Sequence, residues 1–479
     1  MTMKPKQAEQ VDPVADSEQV DPFDAVAEAA AAGVASAPKP KHAALAAELD
    51  AREAVDPHDI QPIDDLEDVF GVDVFGEGEK ARPLATLPAL RAIASHYRLR
   101  PRRNLMSHAD EVWWQGAPHI EGMEWLDSVA ARERYSTDGV GRYLPALARE
   151  DAYHPVGEWI RSQAWDGRDR LPELLATLTP TPEGLAATYI QRWMRGAAAL
   201  ACLPEPTTPG GELGCIMQGV LTLKGPQGRR KTSWIAALTP RVEWTHRETQ
   251  AHELGNKDVQ AKLTNRWLVE LAEVEKVIRR HDSEVLKAWV TTAVDERRAP
   301  YAKRAEVHQR RTAYAATTNA DTFLVDPSGN RRWWVVDVDM CDPGALMDRG
   351  PEWRQQVWAQ AWAEWNREGQ YSHTLTPAEL ETLAVWNEAH REKTAEELAV
   401  LDAFAVDAPE AERVLRYSAT EVCELLDLDI QRSATVRNMG YALARYFGQV
   451  KAKGRTVYKM PRMKAEAPKD NGGGGWTSR

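Results

Sequence analysis

The chain has 479 residues, room for two or three domains, and its 60 Lys/Arg and 72 Asp/Glu give a net charge of −12. The imbalance is local: residues 1–80 hold 6 basic and 19 acidic side chains and the rest hold 54 and 53, so overall charge neither argues for nor excludes nucleic-acid binding by the remainder. Four cysteines with no C-x-x-C pair speak against a zinc site or a disulfide framework; without an apolar run of about 18 residues or a basic-then-apolar leader, a soluble protein of a bacterial-type cytoplasm is expected.

Residues 1–80, rich in Ala, Asp, Glu and Pro, hold too little apolar surface to offset their ordering entropy, which predicts a disordered tail with a transient helix at 43–55. A mostly helical domain is expected over 84–203, with a buried helix at 186–202 and a helix stop at Trp165, Asp166 and Gly167. Over 204–345, short apolar strands at 219–223, 267–271, 312–317 and 333–338 alternate with helical stretches at 232–238 and 283–294. That alternation predicts an α/β core around a parallel sheet. A helical extension follows over 346–410, in which Trp353, Trp358, Trp362 and Trp365 recur at helical spacing, a pattern of core packing before one of base stacking. Over 411–462 a helix from Ser418, a second at 432–447 and a basic hairpin come in the order of a winged helix; a Gly/Lys-rich disordered tail closes the chain at 463–479.

The strongest chemical signal is the run Gly225, Pro226, Gln227, Gly228, Arg229, Arg230, Lys231, Thr232 and Ser233 between a strand and a helix. Loop N–H groups and a helix N-terminus face anions, the lysine reaches outer phosphates and the threonine hydroxyl ligates Mg²⁺, so ATP with Mg²⁺ is the expected cofactor. Arg230 stands where the usual G-x-x-x-x-G-K-[ST] pattern has glycine. In left-handed backbone it would cost roughly 1–2 kcal/mol; in right-handed backbone it would cost little and add a positive charge.

Glu270 and Glu273 end an apolar strand, where carboxylates call for a cation, and Glu273 at the strand's edge is ranked first as metal or water ligand. The alternative is a pair of surface acids. Asn319 closes another strand and could orient water or contact a γ-phosphate, and Arg331 with Arg332 could neutralise transition-state charge in a neighbouring subunit. Between the strands, the run 295–311 with Lys303 and Arg304 suits phosphate contact or is a solvated hairpin. Arg437 on the C-terminal helix and Lys451, Lys453 and Arg455 on the hairpin are the remaining nucleic-acid candidates.

These residues resemble the virulence-associated E family of phage and mobile-element ATPases, related to superfamily 3 helicases. The resemblance runs over roughly 104–370. It rests on His154, Pro155 and Val156 with Trp165, Asp166, Gly167, Arg168 and Leu171; on Gly225 to Gly228 with Lys231 and Thr232; on Trp267 to Glu273; on Asp295 to Tyr301 with Lys303 and Arg304; on Thr317 to Asn319; and on Phe323 to Asp326 with Asn330 to Trp333. It implies a P-loop core, and a ring, a hexamer, acting on single-stranded, forked or origin DNA in replication, with a primase or replisome partner. It further implies Lys231 and Thr232 as the Walker A pair, Glu273 and Glu270 as Walker B acids, Asn319 as sensor 1, and Arg331 and Arg332 as arginine-finger candidates. No metal-ligand pattern for nucleotide polymerisation occurs in 81–200, so no primase activity is expected.

The expected function is an ATP-dependent DNA helicase or translocase of phage or mobile-element replication. The alternatives are a replication initiator or regulator that uses ATP only as an assembly switch, which Arg230 favours, and an ATPase of host interference.

Overall fold

The computed structural model describes residues 56–63, 74–75, 82–204, 215–248, 256–278, 288–297, 306–325, 330–452 and 454–464. The tail expected over 1–80, including its helix at 43–55, lies outside the described residues except at 56–63 and 74–75; the tail expected at 463–479 lies outside from 465 onward.

Two compact units are present: Met1–Arg102 with Glu111–Asp151, and Arg103–Asp110 with Ala152–Arg479. In the first, α1 (Leu87–His96) starts at the Thr86 cap with a proline in its first turn, and packs with α2 (Gly122–Arg132) and α3 (Thr137–Glu150). Their apolar stripes, among them Leu90, Ile93, Leu126, Val129 and Leu144, make a separate core. Short strands β1 (Arg100–Asn104), β2 (Asp110–Trp114) and β3 (Ala117–Pro118) make the region expected to be mostly helical a mixed one.

The second unit opens with β4 (Ala152–Tyr153), α4 (Pro155–Arg161), α5 (Leu171–Leu175), β5 (Leu178–Thr181) and α6 (Glu183–Cys202). The boundary expected at 203/204 therefore falls inside a compact unit. Strand β5 is the edge of the main sheet, and α6 buries Trp193, Met194 and its alanines against that sheet.

Next come β6 (Val220–Lys224), α7 (Lys231–Ala237), β7 (Thr245–Glu248), α8 (Lys257–Thr264), β8 (Leu268–Leu271) and α9 (Val274–Ile278). The hairpin β9 (Val294–Arg297) and β10 (Glu306–Gln309) precedes β11 (Ala313–Thr318) and β12 (Trp333–Cys341). The six-stranded sheet has the order β5-β12-β6-β11-β8-β7, parallel throughout except for β5 against β12. Leu221, Leu223 and Leu268 point to the core shared with α6, while Val220, Val269 and Tyr314 point to a second core, so the central strands are apolar on both sides.

The helix expected over 283–294 ends earlier than expected. Residues 288–290 are helical, β9 begins at Val294, and 281–287 lie outside the described residues. Tertiary contacts override local propensity here. Arg310, nearly buried, makes a two-pronged ion pair with Asp295 at 2.5 and 3.0 Å, and its guanidinium lies over the Trp289 ring at 4.8 Å, fixing the hairpin root.

Helices α10 (Pro343–Asp348) and α11 (Gly350–Glu368) follow. Trp358 and Trp365 are buried and Trp353 and Trp362 pack against the same core, Trp358 lying 4.5 Å from the Trp267 ring, the core packing the spacing predicts. Three buried glutamines of α11 hold an irregular stretch whose backbone would otherwise lack partners. Gln355 donates to Ile160 O and Gln163 O at 2.7 and 2.8 Å, Gln356 Oε1 accepts from Asp166 N at 3.0 Å, and Gln360 Oε1 accepts from Arg170 N at 2.8 Å.

The chain closes with α12 (Pro377–Ala389), α13 (Ala395–Ala403), β13 (Leu415–Tyr417), α14 (Ala419–Leu425), α15 (Ser433–Tyr446), β14 (Gln449–Ala452) and β15 (Arg455–Met460). Capping boxes, Thr376 with Glu379 and Ser418 with Glu421, start α12 and α14. The antiparallel sheet β13-β15-β14 packs with α14 and α15 around Val422, Met439, Leu443 and Phe447, and Val400 of α13 with Phe404 just beyond it completes that core. Helix, helix and hairpin come in the expected order. Among the described residues no helix is long and apolar enough to cross a membrane.

Candidate functional site

The carboxyl ends of β6, β11 and β8 lie side by side, and each delivers a polar group to one spot, the usual location of ligand sites in open parallel sheets. From β6 the chain enters the glycine loop 225–230. Gly225 must be glycine for space, since a Cβ there would lie 2.2 Å from Val338 O, and Gly228 takes φ +83°. Arg230 has φ 58° and ψ 25°, the left-handed conformation, and caps α7 with its side chain exposed. Of the two readings of this position, the strained one holds.

Lys231, 7% exposed, donates from Nζ to Gly225 O at 2.6 Å, Pro226 O at 2.9 Å and Asn319 Oδ1 at 2.8 Å. Burial pushes its ammonium below the ordinary lysine range, opposed by Glu275 and Glu270. Beside it, Glu270, 3% exposed, accepts at Oε1 from Thr232 Oγ1 at 2.6 Å and from Thr317 Oγ1 at 2.7 Å, and Arg247 Nε lies 3.9 Å from Oε2. A buried carboxylate carrying two hydroxyl donors and only a distant guanidinium keeps unused capacity for a cation.

The two strand-end acids do not stand in the expected order. Glu270 is in the cluster; Glu273 lies past the end of β8 at φ 52°, half exposed and paired with Lys276. One residue of strand points the side chain into the cluster, and the turn that follows carries Glu273 away. Asn319, expected to face water or a γ-phosphate, accepts from Lys231 and so lies in the cluster. Thr317 was missed as a site residue, although a threonine one residue from the end of an apolar strand is the available signal.

Arg331 and Arg332 form the turn Asn330–Arg332 that feeds β12, Arg331 exposed and Arg332 partly so. Trp333 stands opposite Val220 and Asp337 opposite Lys224. The arginines thus sit at the amino edge of the sheet, about 13 Å of strand from the glycine loop, and are not brought to this chain's own cluster.

Lys303 and Arg304 lie outside the described residues, as does Lys453. At the root of their hairpin, Arg310 and Arg311 turn inward, Arg311 donating to Leu200 O and Leu203 O at 2.9 and 2.7 Å, so these two arginines of the basic run are structural. Arg437, Lys451 and Arg455 are exposed on α15 and the hairpin, and Tyr441, 67% exposed, lies one turn beyond Arg437 on the same helix face.

Lys224, the last residue before the loop, pairs with Asp337 at 3.2 Å, and Asp337 accepts from His390 Nε2 at 3.0 Å. Burial would raise the Asp337 carboxyl; His390 and Lys224 outweigh it and leave it below its ordinary value. Cys341, fully buried beside the loop, has its thiol pushed up by burial to about 12 and offers no nucleophile.

Residues 160–393, which hold this cluster, match the Virulence-associated protein E-like domain. Among solved structures, the apo NrS-1 C terminal region aligns at 12% identity over 78% of this chain and 98% of its own, with a TM-score of 0.40. Its A form aligns at 12% identity over the same shares with a TM-score of 0.39. JCV helicase bound to a thiazolopyridinyl phenoxyphenyl acetamide aligns at 13% identity over 55% of this chain and 72% of its own, with a TM-score of 0.23. No curated protein matches.

Proposed function

We propose that the chain is a P-loop ATPase of the superfamily 3 type that acts on DNA in the replication of a phage or other mobile element, as a helicase or translocase working in a homo-oligomeric ring. The observation that carries this reading is the convergence of Lys231, Thr232, Glu270, Thr317 and Asn319 at the carboxyl edge of three parallel strands. The match of 160–393 to the Virulence-associated protein E-like domain supports it.

In this reading ATP phosphates replace the loop carbonyls now bonded to Lys231, and Asn319 senses the γ-phosphate. The Thr232 hydroxyl and Glu270 carboxylate, hard oxygen donors 2.6 Å apart, are a chemically fitting pair for Mg²⁺. Bound there with ATP, the ion would neutralise charge on the outer phosphates. Arg331 and Arg332, remote from the cluster of their own chain, would serve the site of the next subunit. The C-terminal module is a winged helix whose α15 enters a major groove while Lys451 and Arg455 meet phosphates.

A second reading, an ATP-switched initiator or regulator without turnover, is favoured by the strained Arg230 backbone at the loop's end. A turnover assay with forked DNA and Mg²⁺ decides between them. Phosphate release that Lys231→Ala abolishes supports the motor; nucleotide binding without phosphate release sinks it and leaves the switch.

A further inference from the structure

The last turn of α12 and the residues after it touch three segments that flank the site. Asn387 Nδ2 donates to Asn330 O at 2.8 Å and Trp333 O at 2.9 Å, clamping the turn that carries Arg331 and Arg332. His390, buried, reaches Asp337 and through it Lys224, the residue that opens the glycine loop. Phe323 N and Leu324 N both donate to His390 O, at 2.9 and 3.1 Å, and Glu392 N donates to Leu324 O at 2.8 Å, which anchors the chain that has just left Asn319.

The same few residues grip the C-terminal module. Arg391, buried, forks onto Glu397 of α13, with one bond of 2.6 Å, and also onto Glu388. Glu388 is in turn paired with Arg445 of α15, and Tyr446 of α15 donates to Glu397 at 2.7 Å. Helix α15 is the element that carries the exposed Arg437 and Tyr441. Asn387, His390, Arg391 and Glu397 are buried and multiply bonded, and such side chains shift together because a close-packed interior has few intermediate arrangements; Glu388 and Arg445 extend the relay to α15 nearer the surface.

We propose that the segment 387–397 transmits the state of α15 to the nucleotide site, with Glu388, His390 and Arg391 as positioning residues. DNA seated on α15 then changes nucleotide affinity, and by reciprocity bound nucleotide changes DNA affinity by the same factor. This rests on the reading of the cluster as a nucleotide site and of α15 as a DNA-binding helix.

The test reads linkage, not turnover. Affinity for a labelled forked duplex is measured by fluorescence anisotropy with and without Mg²⁺ and a non-hydrolysable ATP analogue, and affinity for the analogue is measured by calorimetry without DNA. Wild type should show a ratio of DNA affinities of at least about five-fold. Arg445→Gln combined with Tyr446→Phe should bring the ratio to within about two-fold of unity while affinity for the analogue alone stays within about two-fold of wild type; affinity for DNA alone is free to fall, because Arg445 is an exposed cation on α15, and the ratio is read against it. Arg445→Lys with Tyr446 intact should restore it, which a merely structural role would not require. His390→Gln, breaking the relay at its other end, should remove the same ratio, and adding it to the α15 pair should remove no more. A ratio that survives both breaks, or a wild-type ratio of one, overturns the proposal while leaving the nucleotide site standing. Absence of analogue binding in calorimetry sinks the nucleotide reading itself, and the proposal with it.

Discussion

Thr232 Oγ1 donates to Glu270 Oε1 across 2.6 Å, joining the helix that follows the glycine loop to a carboxylate two strands away. The pair, closed on the other side by Thr317, gives the cluster its hard-oxygen face. Removing only the charge should separate its chemistry from its packing. Glu270→Gln is expected to lower ATP turnover by about 10²-fold or more with nucleotide affinity changed by less than about three-fold. Glu273→Gln, which only releases Lys276, should leave turnover within about two-fold. A larger effect at Glu273 than at Glu270 would restore the order in which the sequence ranks them.

Arg230 carries the strain of a left-handed, non-glycine residue. Arg230→Gly should raise stability by about 1 kcal/mol, while Arg230→Ala, which keeps the Cβ, should not. Urea denaturation of the two variants beside wild type measures this. Equal midpoints for Gly and Ala would mean that the loop relaxes its backbone at no cost.

Arg331 and Arg332 sit at the sheet edge opposite the glycine loop. An arginine that stabilises transition-state charge can change turnover by about 10³-fold or more, so Arg332→Ala should lose turnover to that degree. Mixing Arg332→Ala with Lys231→Ala should return part of it, because some interfaces then combine an intact loop with an intact arginine. If mixtures stay as inactive as the separate variants, the arginines do not act across an interface.

Arg437, Lys451 and Arg455 each present an exposed cation on the C-terminal module. Each alanine substitution should weaken duplex binding and reduce the slope of log K against log salt by about 1. Titrations at three salt concentrations check it. Unchanged slopes would make the module a protein-binding surface.

How far the chain was legible follows local pattern against long-range contact. The strands at 220–224, 268–271 and 313–318 and the first half of 333–341 are buried and largely apolar, and that run of apolar residues places each within a few residues. The loop's glycines and its Lys-Thr pair likewise announce themselves. What composition does not carry is direction and distance. Glu270 and Glu273 are equally acidic and three residues apart; only the pleat of β8 and the turn after it decide which one is buried. The helix expected over 283–294 stops short of its expected end because Asp295 and Arg310, fifteen residues apart, pair at the root of the hairpin that follows. The tryptophans of α11 were readable as core, but the glutamines between them were not, because their partners are backbone groups some 190 residues away.

Those glutamines decide where the chain can be cut. A fragment begun at 204 to isolate the sheet would strip β5 from its edge, expose the indole of Trp234, which donates to Thr177, and leave Gln355, Gln356 and Gln360 facing water along a helix built to be covered. A fragment begun just ahead of β4 keeps all three clasps. Its solubility beside that of the shorter piece should show that the smallest autonomous version of this sheet starts near Ala152, well ahead of its first parallel strand at Val220.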